Sequence, residues 1–559
     1  MKNTYIDLME TVMDAYSKQQ LEEYTKEVLK AGIKEHGYPR LVANLGILIA
    51  HGKKTELKDT FLDMMSVCCR EIPSAYEKNG FAAGNDFSVK EIVLCLLEIE
   101  KSGLFSKEVT NAWRCNLAEI EPNKVYSEIA PVPPVRINNW AAFSAASEQL
   151  RKYAGIADES DFIENQIMSQ MFSFDENGMY RDPNEPIVYD LVTRLQLAVA
   201  LHFGYDGKTK KELEKQFEKS EEMTLMMQSV TGEIPYGGRS NQFLHNEAFY
   251  AALCEFYATE LKGKGELKKA GQFRRAARKA TEHIAKWLNN TKKTHVKNSY
   301  DRKSGYGCED YAYYKKYMIT TASWLYIAYI MADDSIKEEV CPAENGGYVC
   351  CTSEYFHKVF CNCGDYFIEI DTDADAHYDA SGLGRVHKKG VPSVLCLSTP
   401  CTATPNYAVD IEKTSSLAIC GGIKTGEGFV YSCDGNVKYQ LTKKKASAEL
   451  TEVEFECTAT DGSTYTEKYS VSASGVEICV QGKGELEVMF GVFDFDGEEK
   501  TSVVYSDKKV CVTYKGHKCR YTTNGIISDK KCICANRNGH YRKMAVTGSD
   551  RVLLKIELD

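Results

Sequence analysis

The sequence predicts an α+β protein in which an N-terminal (α/α) toroid is followed by a C-terminal antiparallel β-sandwich. Through residues 1–335, apolar side chains recur at spacings of three and four, which is the period of amphipathic helices. These segments show no fixed repeat, so paired helices in a ring are favoured over a helical solenoid. From residue 345 onward the period changes to two, and Gly, Asp, Asn and Ser bound the segments. The predicted domains are therefore residues 1–335 and 345–559.

The first domain reads as one helix after another. The segment 187–203 is apolar on more than one face, which indicates a buried helix. Pro131, Pro133 and Pro134 interrupt the helical run; they either join a helical subdomain, about residues 1–125, to the rest or form a rigid loop. The predicted helices span residues 5–17, 20–31, 39–51, 56–70, 88–102, 139–154, 160–172, 187–203, 208–229, 243–262, 265–290 and 310–332.

The second domain shows short alternating segments. Tyr366–Asp371 and the apolar run 394–397 open it, and glycines such as Gly482 and Gly497 lie at turn positions. This pattern favours an antiparallel sandwich. Later predicted strands span residues 438–442, 447–456, 464–472, 475–480, 485–492, 501–513 and 551–558.

Composition limits the class of function. The 69 Lys and Arg against 79 Asp and Glu leave a formal net charge of -10, which argues against nucleic acid or an anionic membrane surface as the main partner. No apolar run reaches the ~18 residues of a membrane span. The first ten residues carry acids where a signal peptide has an apolar run, so a cytoplasmic protein is expected.

Cysteine usage agrees with a reducing compartment. The 21 cysteines are an odd number scattered over a long chain, which is typical of free thiols. Cys361 and Cys363 lie near the adjacent pair Cys350 and Cys351, as zinc ligands would, but the spacing is not a regular CxxC pair. No metal and no cofactor is predicted.

The segment Gly232–Tyr250 is the strongest candidate site. Gly237 and Gly238 permit a sharp turn, and Ser240 or Asn241 is then placed to cap the following helix. A polar capped helix start explains one or two polar residues, whereas six in nine residues favour a site. Those six residues are Arg239, Asn241, Gln242, His245, Asn246 and Glu247.

Three other segments add candidates. The proline-bracketed loop at 180–190 feeds a helix in the same way and contributes Tyr189 and Asp190, although an Asp190–Arg194 surface pair explains that acid equally well. The polar loop 298–307 contains Tyr300 and Tyr306. Glu309 and Asp310 precede a run with four tyrosines in seven residues, Tyr313 among them, and not all of these can face a core. Trp140 is either core or a platform for a sugar ring.

At the start of the second domain, His377-Tyr378-Asp379 forms a His-x-Asp segment, followed by Arg385–Ser393. This segment, together with the toroid and sandwich layout, resembles the heparinase II/III-like polysaccharide lyases. The resemblance implies an Asn or His on one toroid helix, here Asn246 or His245, and a Tyr further along, here Tyr300 or Tyr306. It also implies that His377 completes the cleft from the sandwich. Gut β-glucuronidases of similar architecture are the nearest alternative, so the layout alone does not determine the reaction.

β-Elimination of a uronate needs a group that neutralises the carboxylate, a base for the C5 proton and an acid for the leaving oxygen. Arg239 with Asn241 or Asn246 suits the first role, His245 the second, and Tyr300 or Tyr306 the third. Hydrolysis needs two carboxylates instead, and Glu247, Glu309, Asp310 and Asp190 are the candidates.

A non-catalytic sugar-binding protein is the third possibility, because it would keep the tyrosines and Arg239 without an acid–base pair. The expected partner in every case is an oligosaccharide. Short imported chains favour exo-action in a pocket, and a toroid edge leaves room for a homo-oligomer.

Overall fold

The computed structural model describes residues 1–126, 138–290, 294–426 and 428–559. The predicted proline loop at 131–134 lies outside the described residues. The described helices are α1 (Lys2–Met13), α2 (Lys18–Ala31), α3 (Gly37–Ala50), α4 (Lys58–Glu71), α5 (Ala75–Asn79), α6 (Asn85–Ser102), α7 (Lys107–Ala118), α8 (Pro122–Val125), α9 (Asn139–Tyr153), α10 (Ser160–Gln170), α11 (Ile187–His202), α12 (Lys210–Met226), α13 (His245–Gly263), α14 (Leu267–Leu288), α15 (Tyr314–Met331) and α16 (Pro342–Asn345).

Six of these helices close into an inner ring. In order around the ring, α3 packs on α6, α6 on α9, α9 on α11, α11 on α13, α13 on α15, and α15 back on α3. Helices such as α1, α4, α10 and α14 pack on the outside of this ring. The predicted (α/α) toroid is confirmed.

The sequence of each helix accounts for its layer. Inner helix α15 is apolar nearly all round and buries residues on every face, whereas outer helix α14 buries one stripe that includes Phe273 and Ile284. Lys and Arg residues cover the outward face of α14, and Arg275 pairs with Glu344. The helices of residues 1–125 share one apolar core with the later helices.

The strands are β1 (Tyr348–Cys351), β2 (Lys358–Cys363), β3 (Tyr366–Asp371), β4 (Gly382–Lys388), β5 (Cys420–Thr425), β6 (Gly428–Tyr431), β7 (Val437–Ala446), β8 (Leu450–Ala459), β9 (Thr464–Ser472), β10 (Gly475–Phe495), β11 (Ser502–Ser506), β12 (Lys509–Tyr514), β13 (His517–Thr523), β14 (Ile526–Asn536) and β15 (Gly539–Leu558). Strands β1 to β4 form a four-stranded antiparallel sheet in chain order. The other strands form a larger antiparallel sheet around the long β10–β15 pair.

The small sheet lies between the toroid and the large sheet. Phe360 and Phe367 face the helical core, whereas Cys361 and Ile368 face the core of the sandwich. This double burial explains why every residue of β2 and β3 is buried. The predicted sandwich is confirmed, and its inner sheet is also the contact surface with the toroid.

Several predicted strand limits are corrected by the structure. The run 394–397 is not a strand, because Pro392 presets a turn and residues Ser393–Leu395 form a 3-10 helix. Residues 475–480 and 485–492 are parts of the single strand β10, which a bulge interrupts between Gln481 and Glu485. The segment 501–513 is a hairpin of two strands, β11 and β12.

All 21 cysteines are free thiols, and most of them are buried. In the part of the chain that the structure describes, no group of three or more His, Cys, Asp or Glu side chains is arranged to hold a metal ion. Among the same residues, no helix has both the length and the apolar character needed to cross a membrane.

Candidate active site

A cavity of about 870 Å³ lies where the inner helices begin. Each of the six inner helices contributes residues from its first turns or its cap, so their amino ends point toward the cavity. The N-terminal end of a helix carries a partial positive charge and favours an anion. Lining residues at these ends are His36 and Arg40 of α3, Phe87 of α6, Trp140 of α9, Tyr189 of α11, His245 and Asn246 of α13, and Lys316 and Tyr317 of α15.

The loop before α13 is the central wall of this cavity. Gly238 has a φ of +71°, and a Cβ there would lie 2.7 Å from the Cα of Pro186, so only glycine fits. Ser240 and Gln242 also adopt positive φ. The helix therefore begins at His245, and neither Ser240 nor Asn241 caps it as the sequence suggested. Instead, Nδ2 of Asn246 donates to the carbonyl of Ser240 and closes the loop.

The sandwich holds this loop from behind. Asp379 of the His-x-Asp segment accepts a hydrogen bond from the backbone N–H of Gly238, at 2.9 Å. Glu309 accepts from the N–H of Ser240, and its other oxygen pairs with Arg537 of the sandwich at 2.8 Å. Burial raises the pKa of Asp379 to about 6, and Lys358 opposes that shift. The second domain thus positions the wall of the cavity without lining it.

His245 is the first residue of α13 and is 8% exposed. Its ring stacks on Tyr317 with centroids 5.8 Å apart, and Phe243 and Phe249 flank it. Among the described residues, Nδ1 of His245 has no hydrogen-bond partner. Burial lowers the pKa of His245 well below its ordinary value, and the charge of Arg40 adds to this. The imidazole is therefore neutral and keeps a lone pair that no described group uses.

Three hydroxyl groups form a chain along the wall. The Ser240 hydroxyl lies 2.6 Å from that of Tyr311 and 3.2 Å from that of Tyr189. Burial raises the pKa of Tyr311, with further contributions from Tyr189 and Glu309. Tyr311 is therefore protonated at neutral pH and can act as an acid.

Arg239 lies at the rim of the cavity, where its guanidinium covers the Tyr189 ring at 4.2 Å. It is paired with the fully buried carboxylate of Asp182, which also accepts from Asn139. Asp182 is the one Asp or Glu among the described residues that line the cavity. Burial raises the pKa of Asp182, and Arg239 opposes this shift.

The structure brings Arg239, Tyr189, His245 and Asn246 together at the cavity, and it places other candidates elsewhere. Glu247 is fully buried against Lys297, at 2.5 Å. Asp190 pairs with Arg194 as the spacing suggested, but both side chains are fully buried rather than at the surface.

The remaining candidates lie outside the lining. Tyr300 donates to Asp410 of the sandwich at 2.8 Å and packs against Tyr306. The side chain of Asn241 accepts a hydrogen bond from Arg537 and donates one to the carbonyl of Gly238. The other four candidates also lie away from the lining: Gln242 is buried in the loop, whereas Asp310, Tyr313 and His377 are exposed.

Sequence reasoning missed several lining residues, among them Arg40, Asp182, Tyr311 and Lys316. Their shared feature is a place at or just before the start of an inner helix, which is visible only once the ring order is known. Of the four tyrosines in the run before and within α15, the sequence favoured Tyr313, whereas Tyr311 lines the cavity. Trp140 lines the cavity and also packs edge-on against the ring of Phe87, so it is both part of the aromatic packing and part of the cavity wall.

Neither a protein-family model nor a curated protein matches the sequence. Heparan sulfate lyase HepC from Pedobacter heparinus is similar in structure, at 10% identity over 93% of this chain and 76% of that protein, with a TM-score of 0.48. A heparinase III matches at 10% identity over 94% and 85% with a TM-score of 0.36. A glycosyl hydrolase family 88 protein from Bacteroides vulgatus matches at 11% over 59% and 99% with a TM-score of 0.39.

Heparinase-like lyases are thus among the solved structures that this chain resembles, as the sequence indicated. At identities of 10% and 11% and TM-scores of 0.48, 0.36 and 0.39, these likenesses carry no argument about the roles of residues in this chain. The residue roles that follow rest on the geometry of the cavity.

Proposed function

We propose that this protein is a carbohydrate-active enzyme that cleaves uronic-acid-containing oligosaccharides by β-elimination in the toroid cavity. The observation that supports this best is the composition of one wall. A neutral imidazole with a free nitrogen, a protonated tyrosine and an unpaired amide oxygen, that of Asn246, lie where six helix amino ends meet. The helix amino ends favour an anionic sugar, and the wall contains both a base and an acid.

The volume of the cavity agrees with a short substrate. Ligand pockets typically enclose about 300–1,000 Å³, and this one encloses about 870 Å³. Trp140 and Phe87 supply flat apolar surface against which a sugar ring can pack. We therefore propose that a few sugar units enter, rather than a long polymer.

His245 is the proposed base. It takes the proton from C5 of the uronate, and the C5–H electrons form the C4–C5 double bond while the C4–O bond breaks. A base of low pKa is weak, but a substrate carboxylate beside the ring raises the pKa back toward neutrality. The base therefore gains strength when the correct substrate binds.

Tyr311 is the proposed acid. Its hydroxyl proton goes to the leaving oxygen, and the Ser240–Tyr189 chain offers a route for replacing it from solvent. Tyr311 takes the role that the sequence assigned to Tyr300 or Tyr306, because those two rings lie against the sandwich.

A hydrolase with paired carboxylates finds less support. Hydrolysis needs two carboxyl groups about 5–10 Å apart across the bond. Among the described residues, Asp182 is the one carboxylate in the lining, and it is already paired with Arg239. Glu247, Glu309 and Asp190 are buried in pairs with other cations.

The test is ultraviolet absorbance during digestion of a panel of uronate oligosaccharides, since only elimination creates a double bond conjugated to the carboxylate. We expect the band with the wild-type protein and a loss of about 10²–10⁴ in kcat for His245→Ala. The matched control is His377→Ala, an exposed histidine outside the cavity, which should leave kcat unchanged.

A second pair of variants tests the acid. Tyr311→Phe should lower kcat, whereas Tyr313→Phe, two residues away and outside the lining, should not. Release of uronate without the band would exclude elimination and favour hydrolysis. Binding without any turnover would favour a sugar-binding protein.

A further inference from the structure

Among the described residues, two arginines and one lysine line the cavity, and each arginine lies against a carboxylate of the protein. Arg40 donates from Nε to Glu91 at 3.0 Å, and its Nη1 donates to Thr320. Arg239 is paired with Asp182. Each arginine therefore has a carboxylate of the protein against it, although Glu91 also pairs with the buried Lys90, at 3.3 Å.

Lys316 is the exception. It lies in the first turn of α15, lines the cavity and is half-buried. Among the described residues, its Nζ makes no ion pair within 4.0 Å. Its neighbours are instead two aromatic rings, with centroids 5.4 Å away in Tyr317 and 5.8 Å away in Tyr313. Glu35 is the carboxylate whose charge acts on it, from beyond ion-pair distance.

The position of this ammonium group relates it to the proposed base. The Tyr317 ring that Lys316 approaches at 5.4 Å is the same ring on which His245 stacks. An anion held at Lys316 would therefore lie near the aromatic ring that His245 also contacts. Burial lowers the pKa of Lys316, which shows how poorly its charge is solvated without a partner.

We propose that Lys316 binds the carboxylate of one uronic acid unit and thereby selects a sugar that carries a single negative charge at this subsite. Each of the two arginines in the lining has a carboxylate partner in the protein, whereas Lys316 has none among the described residues. The inference deepens the proposed function and rests on it for the identity of the sugar. It assigns carboxylate recognition to a residue that neither the glycine-rich loop nor the resemblance indicated.

A substrate carboxylate paired with the Lys316 ammonium group withdraws electrons from C5 more strongly than a free carboxylate does. The proton on C5 therefore becomes easier to remove. Lys316 would then act in both ground-state binding and the transition state. Both KM and kcat should respond when its charge is removed.

Binding is tested by calorimetry with two probes, methyl β-glucuronide as its sodium salt and the uncharged methyl β-glucoside. Lys316→Met keeps the apolar stem but removes the charge. A hydrogen bond to a charged group contributes about 1.5–3 kcal/mol, so we expect the affinity for the glucuronide to fall about 10- to 100-fold. The affinity for the glucoside should not change, and Lys316→Arg should restore most of the glucuronide binding.

Lys315→Met is the matched control. Lys315 is adjacent on the same helix, but its Nζ pairs with Glu27 at 3.3 Å and it does not line the cavity. Thermal unfolding of each variant verifies the fold. The proposal is overturned if wild-type protein does not bind the glucuronide, if Lys316→Met binds it as tightly as wild type, or if Lys315→Met loses as much.

The same experiment separates this inference from the proposed function. Lys316-dependent binding of glucuronide by a protein that never produces the ultraviolet band supports the carboxylate site and excludes elimination. The band with unchanged KM and kcat in Lys316→Met supports elimination and overturns the carboxylate site.

Discussion

Arg537 joins the sandwich to the wall of the cavity, and its removal should be among the costliest single changes. Its guanidinium is 2% exposed. It donates to the carbonyl of Gly307 at 2.7 Å and to Asn241 at 3.2 Å, and it pairs with Glu309 at 2.8 Å. It also covers the ring of Tyr407 at 4.0 Å.

The magnitude follows from what Arg537→Met leaves behind. Glu309 is also buried, so it would remain as a charge without a cation, which costs about 3–5 kcal/mol. Two buried acceptors would also lose a donor, at about 1 kcal/mol each. Because these terms are not additive, we expect the free energy of unfolding to fall by roughly 5 kcal/mol. The double variant with Glu309→Gln should recover at least about 2 kcal/mol, since the unpaired charge is gone.

The assay is urea unfolding followed by tryptophan fluorescence for the toroid and by circular dichroism for the whole chain. The control is Arg520→Met, whose partner Asp559 is half-exposed, and we expect less than about 1 kcal/mol there. The reasoning is refuted if Arg537→Met costs no more than this control, or if Glu309→Gln restores nothing. The four tryptophans all lie in helices of the toroid: Trp113, Trp140, Trp287 and Trp324.

Two further predictions concern pH and packing. Burial lowers the pKa of His387 to about 3, whereas in the unfolded chain this histidine has its ordinary pKa of about 6.5. Below pH 6.5 the unfolded chain therefore binds a proton that the folded chain does not. The contribution of this group to the free energy of unfolding should fall by about 2 kcal/mol between pH 7 and pH 5. His387→Gln should reduce that slope in urea titrations, and an unchanged slope would contradict the assignment. In α3, a Cβ on Gly46 would meet Phe61 at 2.4 Å, so Gly46→Ala should cost about 1–3 kcal/mol. Gly263, which ends α13 in open space, is its control, and Gly263→Ala should be neutral or stabilise by up to about 1 kcal/mol in the same thermal melts.

The candidate site was only partly accessible from the sequence. The loop Gly232–Tyr250 stood out because its glycines and polar residues have no simpler explanation, and His245 and Asn246 do line the cavity. Their neighbours Asn241 and Glu247 are also polar, but their side chains bind Arg537 and Lys297 instead of lining the cavity. Residue type alone cannot tell which of these four side chains line the cavity, because the difference lies in the direction in which each side chain leaves the backbone.

The tyrosines show the same limit. Tyr300 and Tyr311 are both plausible acids by type and by distance along the chain. Tyr300 meets Asp410, which lies 110 residues later, whereas Tyr311 meets Ser240, which lies 71 residues earlier. The first contact depends on how the sandwich docks on the toroid and the second on closure of the helix ring, and local periodicity carries no information about either.

Local sequence patterns predicted the helical first part of the chain, the change to strands near residue 345 and most helix limits to within a few residues. These features follow from local patterns of apolar and turn-forming residues, which each segment carries independently. Only the folded chain shows that six helix amino ends meet at the cavity, and that both lining arginines lie against a carboxylate whereas Lys316, among the described residues, does not. Ring closure brings together residues as distant as Arg40 and Thr320, and charge compensation depends on that closure rather than on any one segment.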